Sequence, residues 1–199
     1  MKNTFKLFAL VLAALLAVTC LSACSLKDIL GSLSPALPGS ETSEPENTAD
    51  DSGGSSEGTR VTFLDLTITV PEGFQKSSMS TDGCTVYVPG DWPLHSDNIS
   101  ITFTSEAGSA DNYTSENIKQ MLEETLKTEV TNYKFSKDKV EGADRVSASY
   151  NVVVNGISMD QEMLIYIIGK KSMVSVTFTN VSGEFVNDFA ASKASITID

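Results

Sequence analysis

Histidine is nearly missing from this chain of 199 residues: His95 is the only one. That removes zinc sites built on two or more imidazoles and leaves any Ser-His-acid triad a single base. No Gly-x-Ser-x-Gly elbow supplies a nucleophile, and no glycine loop has a phosphate-cradling pattern. Cysteine is scarce too, with Cys20, Cys24 and Cys84 the full set. Long apolar runs are lacking: Leu7 to Val18 spans 12 residues, short of the roughly 20 that cross a bilayer core. Basic residues are outnumbered, 14 Lys and Arg against 26 Asp and Glu, for a net charge of −12. A surface this acidic opposes nucleic acid and anionic headgroups alike. Together these absences remove the usual signatures of an enzyme and imply no cofactor.

What is present begins with an address. Lys2 and Lys6 precede the apolar run, and Leu21-Ser22-Ala23-Cys24 follows it. A basic start, a short apolar core and a small-residue cut site make a secretory leader. Leu21, Ser22, Ala23 and Cys24 resemble a bacterial lipobox, which implies cleavage after residue 23 and acylation of the Cys24 thiol. Cys20 fits less well, because Val18 and Thr19 before it include a β-branched residue beside the cut. An ordinary signal peptide cut near Ala23, releasing a soluble protein, is the plainer alternative. Loss of residues 1–23 removes Lys2 and Lys6 from the 14 bases, leaving 12 against 26 acids, a net charge of −14. Cys20 leaves with the leader and Cys24 carries lipid, so Cys84 remains a lone thiol without a disulfide partner.

Residues 24–60 read as a tether. Ser, Gly, Glu, Pro, Thr and Asp dominate, no aromatic residue occurs, and seven acids face Lys27 and Arg60. Too little apolar surface is present to offset chain entropy. The 36 residues from Ser25 to Arg60 would span about 30–36 Å r.m.s.. The acid-rich piece Glu41 to Asp51 lacks the spacing of a calcium loop.

Residues 61–199 read as one globular domain. In Val61 to Val70, Leu64, Leu66, Ile68 and Val70 alternate with polar residues, predicting a half-buried strand ended by Pro71-Glu72-Gly73. Phe74 to Met79 pairs with Cys84 to Val88 across Ser80 to Gly83, and Asn98 to Thr104 forms the next strand, with Ile99, Ile101 and Phe103 on one face. Thr114 or Ser115 caps a helix whose stripe is Ile118, Met121, Leu122, Leu126 and Val130. Four strands follow: Tyr133 to Val140, Arg145 to Val154, Ile157 to Ile168 and Ser172 to Thr179, the last with Val174, Val176 and Phe178 on one face. Asn155-Gly156 predicts a type I′ hairpin. Ser182 caps a last helix that buries Phe185, Val186, Phe189 and Ala190, and Ile196 and Ile198 end the chain near the sheet. This order predicts an α+β fold, a mainly antiparallel β-sheet with helices packed on it.

Pro71-Glu72-Gly73-Phe74 closing a first strand, then a hairpin, a strand, a helix, a meander and a final helix with Phe185 and Phe189, resembles the Mog1/PsbP-like superfamily. The resemblance covers roughly residues 61–199 and implies an α-β-α sandwich. It further implies protein binding or assembly rather than catalysis, although a shared fold does not carry function.

Three groups stand out as candidate chemistry. Asp91, Trp92, His95 and Asp97 lie in one polar loop; two carboxylates and an imidazole would suit a divalent ion, and Trp92 a sugar ring or partner side chain. The plain reading packs Trp92 on the domain edge and leaves the rest in water, since the spacing matches no metal motif. Cys84 has no basic neighbour in sequence and reads as an inert, semi-buried thiol. Lys134, Lys137, Lys139 and Arg145 surround one hairpin, as an anionic-partner patch or a solvated surface.

The chain is therefore expected to be a lipid-anchored, non-catalytic binding or assembly module at the extracytoplasmic face of a bacterial cell membrane. Its expected partner is an envelope protein or polymer, not nucleic acid. The alternative is a metal- or thiol-dependent envelope enzyme using Asp91, His95 and Asp97 or Cys84. A solute-binding importer component fits poorly, because the domain is too small for a two-lobed clamp. Because two or more acyl chains anchor stably where one does not, Cys24→Ala is expected to move the protein from the membrane to the soluble fraction. Retention of that variant in washed membranes would refute the lipid anchor.

Overall fold

The computed structural model describes residues 58–90, 97–105, 109–169 and 172–199. The leader, Cys24 and the tether up to residue 57 lie outside the described residues. The chain forms strands β1 (Thr59–Phe63), β2 (Leu66–Val70), β3 (Phe74–Lys76), β4 (Cys84–Pro89) and β5 (Asn98–Thr104). A 3-10 turn (Ala110–Asn112) and helix α1 (Ser115–Leu126) come next. Then follow β6 (Thr131–Val140), β7 (Ala143–Val154), β8 (Ile157–Ile168), β9 (Ser172–Asn180), helix α2 (Val186–Ala194) and β10 (Thr197–Ile198).

Seven strands make one antiparallel sheet in the order β3-β4-β5-β9-β8-β7-β6. Its two faces are covered separately. On one, Ile118, Met121, Leu122 and Leu126 of α1 pack on Val146, Ala148, Tyr150 and Val152 of β7 and on Met163, Ile165 and Ile167 of β8. On the other, Leu164 and Tyr166 of β8 join Val174, Val176 and Phe178 of β9 and Ile99 and Ile101 of β5, beneath Phe189 of α2 and Leu66, Ile68 and Val70 of β2. Alternation along a strand sends neighbours to opposite faces, so the apolar run Met163 to Ile167 serves both cores. The fold is α+β, as expected, with a second sheet added.

That second sheet, β1-β2-β10, corrects the reading of Val61 to Val70 as one strand. The chain reverses at Leu64 and Asp65, and Phe63 pairs with Leu66. Leu64 takes a left-handed φ of 54° and is 41% exposed, whereas Leu66, Ile68 and Val70 are fully buried. Alternation does not register such a turn, because the apolar period runs straight through it. β1 also starts before the boundary read from composition: Thr59 and Arg60 pair with Val70 and Thr69. At the other end, Thr197 and Ile198 pair with Thr67 and Leu66, so the C-terminus closes the small sheet.

Helix α1 starts at Thr114, whose Oγ1 accepts from the Asn117 N–H at 3.2 Å, the N-cap geometry that satisfies one orphan donor. It stops at Lys127, which is left-handed; Val130 is buried in the same core from outside the helix. Asn155 and Gly156 both have positive φ, as their hairpin requires. Helix α2 departs from expectation. Phe185 occupies its N-cap without a side-chain bond, and Ser182 Oγ instead accepts from the Glu184 N–H. Phe189 and Ser192 are its buried residues, with Ile196 buried just beyond its end, while Val186 and Ala190 are exposed.

The Pro71 to Phe74 tetrapeptide acquires a physical purpose here. The Phe74 N–H donates to the Pro71 carbonyl at 3.2 Å with Gly73 at φ 81°, a type II pattern that favours glycine third. The turn delivers Phe74 edge-on to Phe185 (centroids 5.0 Å apart, 88°) and to Phe189 (5.9 Å, 71°), the arrangement aromatic quadrupoles favour. Phe74→Ala is accordingly expected to cost about 3–5 kcal/mol, read as a shifted midpoint in urea. β5 and β9 supply an opposite case. Thr102 is 1% exposed, and its hydroxyl finds no hydrogen-bond partner among the described residues. Because an unsatisfied buried hydroxyl costs about 1–3 kcal/mol, Thr102→Val is expected to raise the melting temperature; a clear fall would contradict this.

Candidate ligand-binding cleft

Of the loop read as a candidate site, Asp91, Trp92 and His95 lie outside the described residues. Asp97 is described, and it is completely buried. Its Oδ1 accepts from the backbone N–H groups of Val181, at 2.8 Å, and Ser182, at 3.3 Å. The carboxylate therefore holds the start of β5 against the turn leaving β9, beside the Asn98–Thr179 pair. These bonds give Asp97 a structural role at the start of β5.

Cys84 is a free thiol, buried in β4 with Val86 and Val88. Burial pushes its pKa up, so the thiolate that reacts with electrophiles and metals is disfavoured. Among the described residues, no three His, Cys, Asp or Glu side chains gather in a metal-holding group.

Strand alternation divides the basic patch. Lys134 and Arg145 share the α2 side of the sheet, and Lys137 and Lys139 the other. Lys137 Nζ donates to the Ala110 carbonyl at 2.7 Å, and Lys139 lies 3.3 Å from Asp144. Arg145 makes a bidentate pair with Asp138, with Nε to Oδ1 at 2.8 Å. The hydrogen bond from Arg145 holds the Asp138 carboxyl below its usual range. Three of the four cations are thus committed locally, and they do not present one continuous basic surface.

The structure instead shows a cleft of about 610 Å³ that no motif announced. It opens where α2 covers β9 but stops short of β6. The wall is Val186, Phe189 and Lys193 of α2; the far rim is Asn132 and Lys134 of β6. The floor comes from alternate residues of three paired strands. Asn151 of β7, Asp160 of β8 and Asn180 of β9 form one cross-strand row, and Ser149, Glu162 and Phe178 form the next.

Hydrogen bonds fix these groups. Asn132 Nδ2 donates to Asn151 Oδ1 at 2.7 Å, and Asn151 Nδ2 donates in turn to Asp160 Oδ1. Asn180 Oδ1 accepts from the Gly183 N–H at 3.1 Å. On the wall, Lys193 Nζ reaches Glu162 Oε2 at 2.5 Å and sits 5.9 Å from the Phe178 ring centre. Both partners of that ion pair are about one-third exposed, so it contributes less than about 1 kcal/mol and yields readily to a competing ligand. Sequence reasoning missed the site because its residues are ordinary polar positions on three strands and one helix. The one available signal was the polar run along one side of the meander, Ser149 and Asn151 facing Glu162 and Asp160.

No family model matches the chain, and no curated protein matches it by sequence. Solved structures do. The solution structure of cyanobacterial PsbP (CyanoP) from Synechocystis sp. is similar with a TM-score of 0.56 at 11% identity, over 73% of this chain and 95% of that one. Weaker likenesses are LpqN of Mycobacterium tuberculosis, described as involved in cell envelope biogenesis (TM-score 0.42, 14% identity, 71% of this chain and 84% of that one), and a Pseudomonas aeruginosa protein of unknown function (0.39, 14%, 70% and 93%). The first likeness establishes a PsbP-like fold.

With its thiol buried and its pKa raised, Cys84 is expected to resist an aromatic disulfide reagent at pH 8 and to react fully in denaturant. Fast labelling of the native protein would reopen thiol chemistry.

Proposed function

We propose that this protein is a lipid-anchored, non-catalytic binding or assembly module of the bacterial cell envelope, and that the cleft beside α2 is its contact surface. The observation that carries the reading is the cleft itself: a concave, polar, hydrogen-bonded floor beside a helix wall that carries Val186 and Phe189. Concavity with a few oriented polar groups is what recognition sites share. The PsbP-like fold, the lipobox resemblance of Leu21 to Cys24 and the acidic tether support the placement, since together they describe a small domain held at a distance from a membrane. Thiol chemistry gains nothing from a buried Cys84.

A photoreactive residue placed at Val186, which is 53% exposed on the cleft rim, tests this in living cells with the anchored chain. Position Ile157, 37% exposed on the sheet's other face, serves as control. Specific envelope-derived adducts are expected at 186 and not at 157. Equal capture at both positions, or none at 186, would remove the cleft from the proposal.

A further inference from the structure

We infer that the cleft takes a neutral glycan segment of the surrounding wall polymer, held by the row Asn151, Asp160 and Asn180. The inference rests on the cleft being the binding surface proposed above and adds the chemistry of its ligand.

Charge comes first. The cleft's ionic side chains are Lys134 and Lys193 against Asp160 and Glu162, a balanced set within a chain of net charge −12. A polyanion would approach against the field of the whole protein. A polycation would meet two ammonium groups at the rim and wall. A neutral ligand meets neither penalty.

Geometry comes second. β7 and β8 are interior strands, each paired on both sides. Their backbone groups are already spent in the ladder, so an extended peptide cannot add a strand here. In the central row the groups that face the ligand are planar carboxamides and a carboxylate. Asn132 and Gly183 orient that row from either end. Asn180, with its carbonyl oxygen held by Gly183, offers its NH₂ group as donor; Asp160 offers acceptor lone pairs. A hydroxyl both donates and accepts, so neighbouring hydroxyls of a sugar satisfy such alternating partners where a simple amine or carboxylate does not. The row crosses two strand spacings, roughly 10 Å, room for about two linked pyranose rings. Val186 on the rim gives their C–H faces an apolar surface.

The test uses the full lipidated chain in lipid nanodiscs and the host's isolated wall sacculi, stripped with protease and then with hydrofluoric acid. The first step removes attached proteins and the second removes phosphodiester-linked anionic polymers. Co-sedimentation with the stripped sacculi is expected, with affinity lowered about tenfold in Asn151→Ala and in Asp160→Ala and unchanged in Lys119→Ala on α1. Asn180→Ala provides a third, independent variant should either of the first two melt early. Binding lost on acid stripping would identify an anionic polymer and overturn the inference, as would binding indifferent to all three cleft variants. No sedimentation, with protein adducts at Val186 in cells, would overturn the glycan while the binding module stands. Empty results in both experiments would overturn both.

Discussion

Burial of β9 on both faces is the constraint from which the rest of the structure follows. Between Met173 and Thr179 every residue is buried, and the strand is hydrogen-bonded to β5 on one side and β8 on the other. A strand in that position needs cover above and below. Helix α1 supplies one layer for β7 and β8; α2 and the small sheet supply the other. The closing elements therefore exist to finish a core that the seven-stranded sheet cannot finish alone.

The cleft is a consequence of how that second layer is built. β2, β10 and α2 together cover β4, β5, β9 and the Leu164–Tyr166 part of β8, but not the Asn151–Asp160 end of β7 and β8 or the neighbouring β6. There the same face turns from Phe178 and Val176 to Ser149, Asn151 and Asp160. The boundary between covered and uncovered sheet is a step, and a step with a helix for its wall is a groove. Lys193 marks the border: its stem lies on the helix wall, its charge meets Glu162 and its ammonium group faces the Phe178 ring. Recognition at such a place costs the fold little, because the polar floor residues are not required by either core.

Asp97 and Cys84 show why residue type alone is a weak guide to chemistry. A carboxylate in a loop full of polar residues reads as a surface ligand, yet Asp97 is buried, with its Oδ1 on two backbone amides. A lone cysteine invites thoughts of nucleophiles, yet β4 places it in an apolar row where burial keeps it protonated. Asp97 is decided by partners more than eighty residues away in sequence.

Much was legible in the sequence, for local reasons. The strand runs, the α1 stripe, the Asn155-Gly156 hairpin and the Pro71 to Phe74 turn depend on period and on φ preference, which neighbours in sequence settle between themselves. Those signals carried the α+β class and the order of elements. Tertiary structure alone decided which alternating faces are wet. Ser100, Thr102, Ser175, Thr177 and Thr179 read as the solvent side of β5 and β9 and are buried, because those strands are central. The polar residues of β6 and β7 follow the same period and stay accessible, because they lie toward an edge. The cleft belongs to that second category: Asn151, Asp160, Asn180 and Lys193 come together only through strand register and the placement of α2, neither of which is a local property of the chain.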